Sequence, residues 1–369
     1  MSGKDESLKK ELETLQEEYS KTKYNKATNV HLGLLRAKIA KVKRDIVEAG
    51  KRVHGKGFFV KKQGDATVAL LGFPSAGKSS LINRIANTSS KTAAYAFTTT
   101  TIIPGTMIYN GAHIQVFDMP GIIKGAHMGA GGGRSVIAAM RSADLVVFVV
   151  DINTVGDMDD LLGELNALKI FPGKVRPDYS VHEIVGGSGL RVETNRSGLP
   201  EKTVTTIFTM FGVHNAVIKL NSKMSEDELI SLVSGNVQYI SAIIALNKID
   251  TRPDYRSIAA SMSRRYGMEV VPISATDDKN IDSLRDAVYR NLGVMTVHLR
   301  PKGGDKDNKP MVVRKGATVG DVAAKLHTEI LDELKCAYIN GPSAKFRNQR
   351  VGTAHVLKDG DEITFIKEL

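Results

Sequence analysis

The sequence has one cysteine, Cys336, and it has no long apolar segment. A single cysteine excludes an internal disulfide framework and a cysteine-rich metal site. The longest apolar run, Leu145–Val150, is far shorter than the ~18 residues that a membrane-spanning helix needs. The first residues alternate in charge and lack the apolar core of a secretory signal. These absences predict a cytoplasmic protein that does not enter a membrane.

Acidic side chains are scarce in one part of the chain. Residues 21–62 hold 13 basic and 2 acidic side chains, so this segment alone carries the net charge of +11. Concentrated positive charge attracts polyanions, of which nucleic acid is the commonest in the cytoplasm. The basic segment therefore predicts contact with the ribosome or RNA. The alternatives are a solvated helix face with no partner, an acidic protein and a membrane surface.

The 369 residues, of which 42% are hydrophobic and 25% charged, are enough for roughly two to three globular domains. Apolar residues at three- and four-residue spacing predict a pair of amphipathic helices over residues 5–48, with a break at Asn25–Asn29. Glycine and lysine then dominate Gly50–Gly64, which is typical of a linker. We therefore assign residues 1–64 to a basic helical region and linker.

From Thr67 onward, short apolar runs alternate with helical patterns. This alternation predicts an α/β fold with a doubly wound, mostly parallel sheet. Asn110-Gly111 between two of the runs predicts a tight hairpin. The predicted strands are Val68–Leu71, Thr101–Tyr109, His113–Asp118, Leu145–Val150, Ala242–Leu246 and Met268–Ile273.

Two further parts interrupt or follow this domain. The interval from Asp118 to Asn247 is longer than the sheet requires, and the surplus, with a β-rich stretch at Thr203–Phe208, predicts an inserted small α+β subdomain at about 171–224. We place the interrupted domain at 65–294. Residues 295–369 show a strand, strand, helix, strand and strand order, in which Thr318 and Asp321 form a capping-box pattern at the helix start.

One segment matches the phosphate-binding pattern G-x-x-x-x-G-K-[ST] between a strand and a helix. Its backbone N–H groups and the helix N-terminus would surround the phosphates of a nucleotide. Lys78 would reach the β- and γ-phosphates, and the Ser79 hydroxyl would bind Mg²⁺. The predicted nucleotide-binding residues of this loop are Gly72, Phe73, Pro74, Ser75, Ala76, Gly77, Lys78, Ser79 and Ser80.

Three more stretches favour GTP over ATP, and each follows a strand. In Asp118-Met-Pro-Gly121, Asp118 can hold Mg²⁺ through water, and the Gly121 amide can sense the γ-phosphate. In Asn247-Lys248-Ile249-Asp250, a buried Asp250 carboxylate can accept the two N–H donors of guanine, which adenine does not offer. A backbone amide of Ser274-Ala275 can meet guanine O6.

The elements of catalysis lie between and after these motifs. Thr99, preferred over the alternative Thr98, is the predicted third Mg²⁺ ligand, in a run of four threonines that also suits the start of a strand. Ile122 stands where many GTPases have a glutamine that orients the attacking water, so we expect slow intrinsic hydrolysis. His127 and Arg134 are candidate helpers, and the alternative is a polar switch loop without a catalytic role. The predicted catalytic residues are Lys78, Thr99 and Gly121.

Other functions are compatible with parts of this pattern. A metabolic P-loop enzyme such as a kinase would use the basic segment for solubility, but Asn247–Asp250 argues against it. A nucleic-acid-binding protein in which GTP is only a structural or regulatory ligand is the second alternative. The intact Lys78, Ser79 and Asp118 argue against a vestigial site.

The chain resembles the developmentally regulated GTP-binding proteins, a branch of the Obg-like translation-factor GTPases. The resemblance extends over nearly the whole chain, and its C-terminal part, with Leu357–Glu362, looks like a TGS domain. The segments that carry it are Asn25–Thr28, His31–Gly33, Ala37–Lys41, Gly72–Ser79, Tyr95–Thr99, Asp118–Ile123 and Asn247–Asp250.

The resemblance implies a helical N-terminal region, a GTPase domain interrupted by a subdomain similar to the second domain of ribosomal protein S5, and a C-terminal β-grasp (TGS) domain. It implies GTP or GDP with Mg²⁺, and contact with the ribosome or RNA through residues 21–62 and the TGS domain. Some relatives add K⁺, which an Asn of the phosphate loop positions; Ser75 stands there in this sequence. Eukaryotic members bind a dedicated stabilising partner, so the resemblance makes such a protein partner a candidate for this chain as well. We expect a monomer that binds no membrane.

Overall fold

The structure is a computed structural model. It describes residues 3–22, 32–42, 45, 64–86, 104–119, 140, 142–184, 187, 189–235, 237–301, 310–326, 330–331 and 333–367. The chain forms two compact units, one of Met1–Phe58 with Lys169–Tyr239 and one of Phe59–Leu168 with Ile240–Leu369. Among the described helices, none is both long enough and apolar enough to cross a membrane.

The helices and strands alternate along most of the described chain. The strands are β1 Ala66–Leu71, β2 Pro104–Tyr109, β3 Ala112–Asp118, β4 Leu145–Asp151, β5 Ile170–Pro172, β6 Tyr179–Glu183, β7 Leu190–Asn195, β8 Ala216–Leu220, β9 Gln238–Asn247, β10 Glu269–Pro272, β11 Val294–Leu299, β12 Met311–Arg314, β13 Leu334–Asn340, β14 Gln349–Val351 and β15 Asp361–Lys367. The helices are α1 Gly3–Lys21, α2 at 32–42, α3 Lys78–Ile85, α4 Asp157–Ala167, α5 Glu201–Met210, α6 Glu226–Ser234, α7 Tyr255–Tyr266, α8 Ile281–Asn291 and α9 Val319–Leu326.

The larger unit is built on a sheet in the order β10-β9-β4-β1-β3-β2. Neighbouring strands are parallel except for β2, which pairs antiparallel with β3. All six residues of β1 are buried, as are the first six of β4, because helices cover both faces of a parallel sheet. The predicted α/β fold with a doubly wound, mostly parallel sheet is therefore confirmed.

The antiparallel edge of this sheet is a hairpin. Asn110 and Gly111 connect β2 to β3 with φ angles of 47° and 75°. Positive φ at both central residues is the geometry of the tight turn that suits the twist of a hairpin. The turn that Asn110-Gly111 predicted is confirmed.

The C-terminal part of the same unit has its own five-stranded sheet, in the order β12-β11-β15-β13-β14. Helix α9 covers this sheet, and its capping box is as predicted: the Thr318 N–H donates to Asp321 Oδ2 at 2.7 Å, and the Asp321 N–H donates to Thr318 Oγ1 at 3.2 Å. The sequence predicted each element of this sheet except β14.

The two sheets of the larger unit are joined by direct contacts. Arg314 Nη2 lies 3.1 Å from Asp144 Oδ1, and the Lys315 N–H donates to the Gly293 carbonyl at 2.8 Å. Asp144 precedes β4, so these contacts lie at the end of the strands opposite to Asp118 and Asn247.

The smaller unit combines an N-terminal helix with an α+β core. Its three-stranded sheet has the order β6-β8-β7, and the core below it includes Ala37 of α2. Arg36 Nη1 lies 2.7 Å from Asp227 Oδ1, next to the capping box that Ser225 and Glu228 form at the start of α6. Within this unit, the Gln238 N–H donates to the Lys169 carbonyl at 3.0 Å, next to short β5.

One local prediction is wrong. The stretch Thr203–Phe208 was expected to be β-rich, but it lies within helix α5. Val204, Ile207 and Phe208 are all buried, and their three- and four-residue spacing places them on one side of a helix. Packing of that face outweighs the β propensity of the threonines and valine. The predicted break at Asn25–Asn29, and the predicted linker except for Gly64, lie outside the described residues.

Candidate functional site

The register of the large sheet gathers the predicted motifs at one edge. Leu70, two residues before the phosphate loop, pairs with Asp118, and Asp151 pairs with Asn247. Leu246 pairs with Pro272, so the segment that contains Ser274 leaves the sheet beside Asn247. The carboxyl ends of parallel strands are the usual position of ligand sites in such sheets.

The phosphate loop runs from β1 into helix α3. Gly77 immediately precedes the helix with a φ angle of 92°, and a Cβ atom there would collide with Asn247 Nδ2. Glycine is therefore required at this position for both backbone conformation and space. Lys78 Nζ donates to the carbonyls of Gly72 at 2.9 Å and Phe73 at 3.1 Å, which places the ammonium inside the loop where the phosphates are expected.

Asp118 lies at the end of β3, next to the phosphate loop. Its Oδ1 atom is buried and has no hydrogen-bond partner among the described residues. Burial raises the pKa of the Asp118 carboxyl, and the nearby Lys78 ammonium and Ser79 hydroxyl offset that rise only in part. An unsatisfied buried carboxylate oxygen beside a hydroxyl is a suitable donor set for Mg²⁺, which prefers oxygen ligands. Ser79 and Asp118 could thus hold this cation.

Asn247 connects the phosphate loop to the segment after β10. Its side chain is 2% exposed, its Nδ2 donates to the Ala76 carbonyl at 2.8 Å, and its Oδ1 accepts the Ala275 N–H at 3.0 Å. The side chain thereby satisfies two backbone groups that are far apart in the sequence. Its observed role is to fix the relative positions of the two loops.

This arrangement modifies the prediction for Ser274 and Ala275. The Ser274 N–H donates to the Lys279 carbonyl at 3.1 Å, and the Ala275 N–H donates to Asn247. Both backbone amides, one of which was expected to meet guanine O6, therefore already have an acceptor within the protein. A contact from Ala275 to O6 requires the amide to be shared with Asn247.

Lys248 is held by a residue that the sequence interpretation did not include. Lys248 Nζ lies 2.6 Å from Asp151 Oδ2, and Asp151 Oδ1 accepts the Asn153 N–H at 2.9 Å. Burial opposes ionisation of Asp151, but Lys248 and Asn153 outweigh it, and the pKa of Asp151 lies below its ordinary value. The position of Asp151 at the end of β4 was the available signal.

Asp250 does not have the surroundings that were expected. The prediction placed its carboxylate in a buried site, but Asp250 is exposed in the structure. It lies in a short turn, Ile249–Thr251. The Ile249 N–H donates to the Ile273 carbonyl at 3.2 Å, and this hydrogen bond anchors the first residue of the turn. An exposed carboxylate keeps both oxygens available to a guanine edge.

Arg84 is a second residue that sequence reasoning missed. From helix α3, its Nε donates to the Ala275 carbonyl and its Nη2 donates to the Thr276 carbonyl, each at 3.1 Å. The Arg84 carbonyl in turn accepts Arg285 Nη2 at 2.6 Å. Arg84 therefore ties the helix after the phosphate loop to the segment expected at the base. Its partners are more than 190 positions away, so no local pattern indicated this role.

The described loops line one cavity of about 420 Å³. Phosphate-loop residues between Pro74 and Ser80 form one side, and Asn247, Lys248, Ala275 and Thr276 form the other. This volume is within the usual range for small-molecule sites. The phosphate loop, the Asn247 segment and the Ser274 segment are thus brought together as predicted. Thr99, Gly121, Ile122, His127 and Arg134 lie outside the described residues, so their roles remain predictions.

The fold and this site define a P-loop GTP-binding protein with a C-terminal TGS domain. Family models agree: residues 67–172 match the model described as 50S ribosome-binding GTPase, residues 186–294 match the C-terminal region of that domain (MMR_HSR1), and residues 295–367 match the TGS domain.

Full-length relatives identify the family. A GTP-binding protein of Methanocaldococcus jannaschii is 38% identical, covering 97% of this chain and 93% of the relative. Developmentally-regulated GTP-binding protein 1 of Xenopus laevis is 38% identical, covering 96% and 97%. The YchF GTPase structure of Schizosaccharomyces pombe aligns at 13% identity with a TM-score of 0.48, covering 84% of this chain and 100% of that chain. The chain belongs to the developmentally-regulated GTP-binding protein family, and it is a GTPase.

Proposed function

We propose that this GTPase is a molecular switch that acts in translation in the cytoplasm, through contact with the ribosome or RNA. The observation that carries the proposal is the concentration of the whole formal charge of +11 in residues 21–62. A polyanionic partner gains affinity from such a segment through release of its counterions. The match of residues 67–172 to a family described as ribosome-binding supports the same partner.

The nucleotide site supplies the switching element of this proposal. Ser79 and Asp118 would hold Mg²⁺ together with the phosphates, and Thr99 is the proposed third ligand. When bound, Mg²⁺ neutralises charge on the phosphate oxygens. The unsatisfied Oδ1 of Asp118 supports this assignment, because an uncompensated buried carboxylate oxygen is costly.

Hydrolysis itself is expected to be slow without a partner. Lys78 would stabilise charge that develops on the phosphates, and Gly121 would report the γ-phosphate. Ile122 has no hydrogen-bonding group with which to orient water. Measuring turnover in KCl and in NaCl at equal ionic strength tests a contribution of K⁺; equal rates would exclude it.

Cosedimentation of the full-length protein with ribosomes tests the proposal. Binding should depend on whether a non-hydrolysable GTP analogue, GDP or no nucleotide is present. Replacing Lys56, Lys61 and Lys62 by glutamine should weaken binding and flatten its dependence on salt. The matched control replaces the same number of exposed basic residues on α7, namely Arg256, Arg264 and Arg265, and should bind like the wild type.

Two outcomes would contradict the proposal. One is the absence of ribosome and RNA binding in every nucleotide state. The other is binding that is the same with GTP analogue, GDP and no nucleotide, which would instead support a nucleic-acid-binding protein that uses GTP only for structure.

A further inference from the structure

The TGS domain presents an aromatic ring to solvent. Phe346, in the connection between β13 and β14, is 65% exposed, although the domain has an apolar core of its own nearby. The adjacent side chains Lys345 and Arg347 are exposed as well. A single exposed apolar residue is common on protein surfaces, so the surroundings of Phe346 decide its meaning.

Those surroundings are strongly cationic. Residues 335–358 contain five lysines and arginines and no aspartate or glutamate. Lys345, Arg347 and Arg350 are exposed, and no described carboxylate forms an ion pair with any of them. Their positive charge is therefore not neutralised within the described part of the chain.

The acidic residues that follow this segment are engaged elsewhere. Asp359 Oδ1 accepts the Thr296 N–H at 2.7 Å, and Asp361 accepts the N–H groups of Ser343 and Lys358 at 3.0 and 2.7 Å. Glu362 Oε2 lies 3.4 Å from Arg300 Nη1. These acidic side chains thus bond to other groups and do not pair with the cations around Phe346.

Hydrogen bonds hold the connection in one shape. Asn340 Nδ2 donates to Asn348 Oδ1 at 2.9 Å, and the Asn348 N–H donates to Asn340 Oδ1 at 2.7 Å. Within the loop, the Lys345 N–H donates to Gln349 Oε1 at 2.6 Å. Ligand binding would cost little conformational entropy in this loop, because hydrogen bonds already fix its shape.

The neighbouring strands extend the same chemistry. Arg350 on β14 is directly opposite Tyr338 on β13, and paired residues in antiparallel strands project from the same face of the sheet. Tyr338 is only half-buried. A second aromatic ring and a cation therefore lie on the strands that carry the loop.

We propose that the β13–β14 loop of the TGS domain binds unpaired bases of an RNA, which stack on Phe346 while Lys345, Arg347 and Arg350 contact the phosphates. An exposed ring among unpaired cations matches the two parts of a single-stranded nucleic acid, the base face and the phosphate. The core of a protein-docking patch is instead depleted of charged residues, whereas Phe346 has cations on both sides. This inference rests on the proposed function and assigns its RNA contact to one surface.

Fluorescence anisotropy with the full-length protein and a short labelled single-stranded oligouridylate tests the assignment. Phe346→Ala should weaken binding roughly tenfold at unchanged salt slope, since it removes one stacking surface. Phe346→Leu should lose as much, and Phe346→Tyr should retain binding. Replacing Lys345, Arg347 and Arg350 by glutamine should reduce the magnitude of the salt slope by about 2.

Val356→Ala is the matched control, because Val356 is also an exposed apolar residue of the TGS domain, at 55% exposure. It should bind RNA like the wild type. GTP turnover should be unchanged in every variant, which shows that each one is folded.

The outcomes separate this assignment from the proposed function. Wild-type affinity in Phe346→Ala would overturn the loop assignment, while nucleotide-dependent ribosome binding by the same protein would leave the proposed function intact. Loss of ribosome cosedimentation with unchanged oligouridylate affinity would mean that the loop docks on protein, which also overturns it. A wild type that binds neither ribosomes nor oligouridylate would contradict both.

Discussion

The base and phosphate ends of the candidate nucleotide site differ in how completely the protein satisfies its own polar groups. At the end expected to meet the base, Asn247 bonds to Ala76 and Ala275, and Arg84 bonds to the carbonyls of Ala275 and Thr276. At the phosphate end, Asp118 Oδ1 is buried without a partner among the described residues. The protein alone therefore holds together the two loops that meet at the base end, whereas the phosphate end is expected to be completed by the ligand.

Within this one site, Asn247 therefore contributes to stability, whereas Asp118 is expected to contribute to ligand binding. The contacts of Asn247 stabilise the folded chain whether or not a nucleotide is present, because they satisfy buried backbone groups. The buried Oδ1 atom of Asp118 costs free energy that Mg²⁺, bound together with the phosphates, would recover. Nucleotide with Mg²⁺ should therefore raise the melting temperature, as any ligand specific for the folded state does.

Lys78→Ala should have the largest effect on the phosphate end. Removing a positive charge that is aimed at the phosphates should lower GTP turnover by at least about 100-fold. Single-turnover hydrolysis and filter binding measure the two contributions, with Lys325→Ala as the control, since Lys325 lies in the TGS domain and bonds to the Val312 carbonyl. Wild-type turnover in Lys78→Ala would show that the phosphate site is misassigned.

Asp118→Asn should separate the effect on nucleotide binding from the effect on stability at the phosphate end. We expect Mg²⁺-dependent GTP binding to weaken by about 10- to 100-fold, as for the loss of an outer ligand of a metal. Without nucleotide, the variant should be more stable than the wild type at neutral pH, because the asparagine cannot carry a buried charge.

The pH dependence of this stability gain has a definite sign. Burial raises the pKa of Asp118, so its favourable contribution to folding is present at low pH and is lost as the pH rises through that raised pKa. The difference in melting temperature between Asp118→Asn and the wild type should therefore shrink as the pH falls. A difference that grows towards acidic pH would contradict the burial of this carboxylate.

Asp250→Asn tests the base end, where selectivity is expected. Loss of the carboxylate that is expected to face the guanine N–H donors should reduce the preference for GTP over ATP by roughly tenfold, the value of a hydrogen bond to a charged group. Competition of GDP and ADP for a fluorescent nucleotide measures the ratio. Because Asp250 is exposed, the melting temperature without nucleotide should not change. An unaltered preference would rule out its base-reading role.

Arg84→Ala should have the smallest effect on nucleotide binding, because Arg84 only positions the segment that is expected to meet the base. Losing two bonds to backbone carbonyls at the protein surface should weaken guanine nucleotide affinity by about fivefold. Arg84→Lys can make only part of the two-carbonyl contact. Its affinity for guanine nucleotide should therefore lie between those of Arg84→Ala and the wild type. The ratio of GTP to ATP affinity should be nearly unchanged. An effect confined to stability, with wild-type affinity, would make Arg84 purely structural.

Features encoded within a few residues were predictable from the sequence. The Asn110-Gly111 turn, the Thr318–Asp321 capping box and the phosphate loop each depend on neighbours in the chain, and each is present as expected. The gathering of motifs at one sheet edge was also predictable, since strand direction in a parallel sheet fixes it.

Features that depend on partners far away in the sequence were not predictable. Arg84 and Asp151 act on segments about 100 to 190 positions away, so their roles required the fold. Thr203–Phe208 has strand-forming residues, yet burial of one face makes it a helix. The exposure of Asp250 likewise depends on how its turn is anchored to Ile273, which the motif does not specify.

The most direct test is isothermal titration calorimetry of the full-length protein with GDP and, separately, with ADP, each in the presence of Mg²⁺. If the described loops form one guanine nucleotide site, GDP should bind at one molecule per chain and ADP should give no saturable heat. Equal binding of the two nucleotides, or no heat with GDP, would contradict the assignment of this cavity.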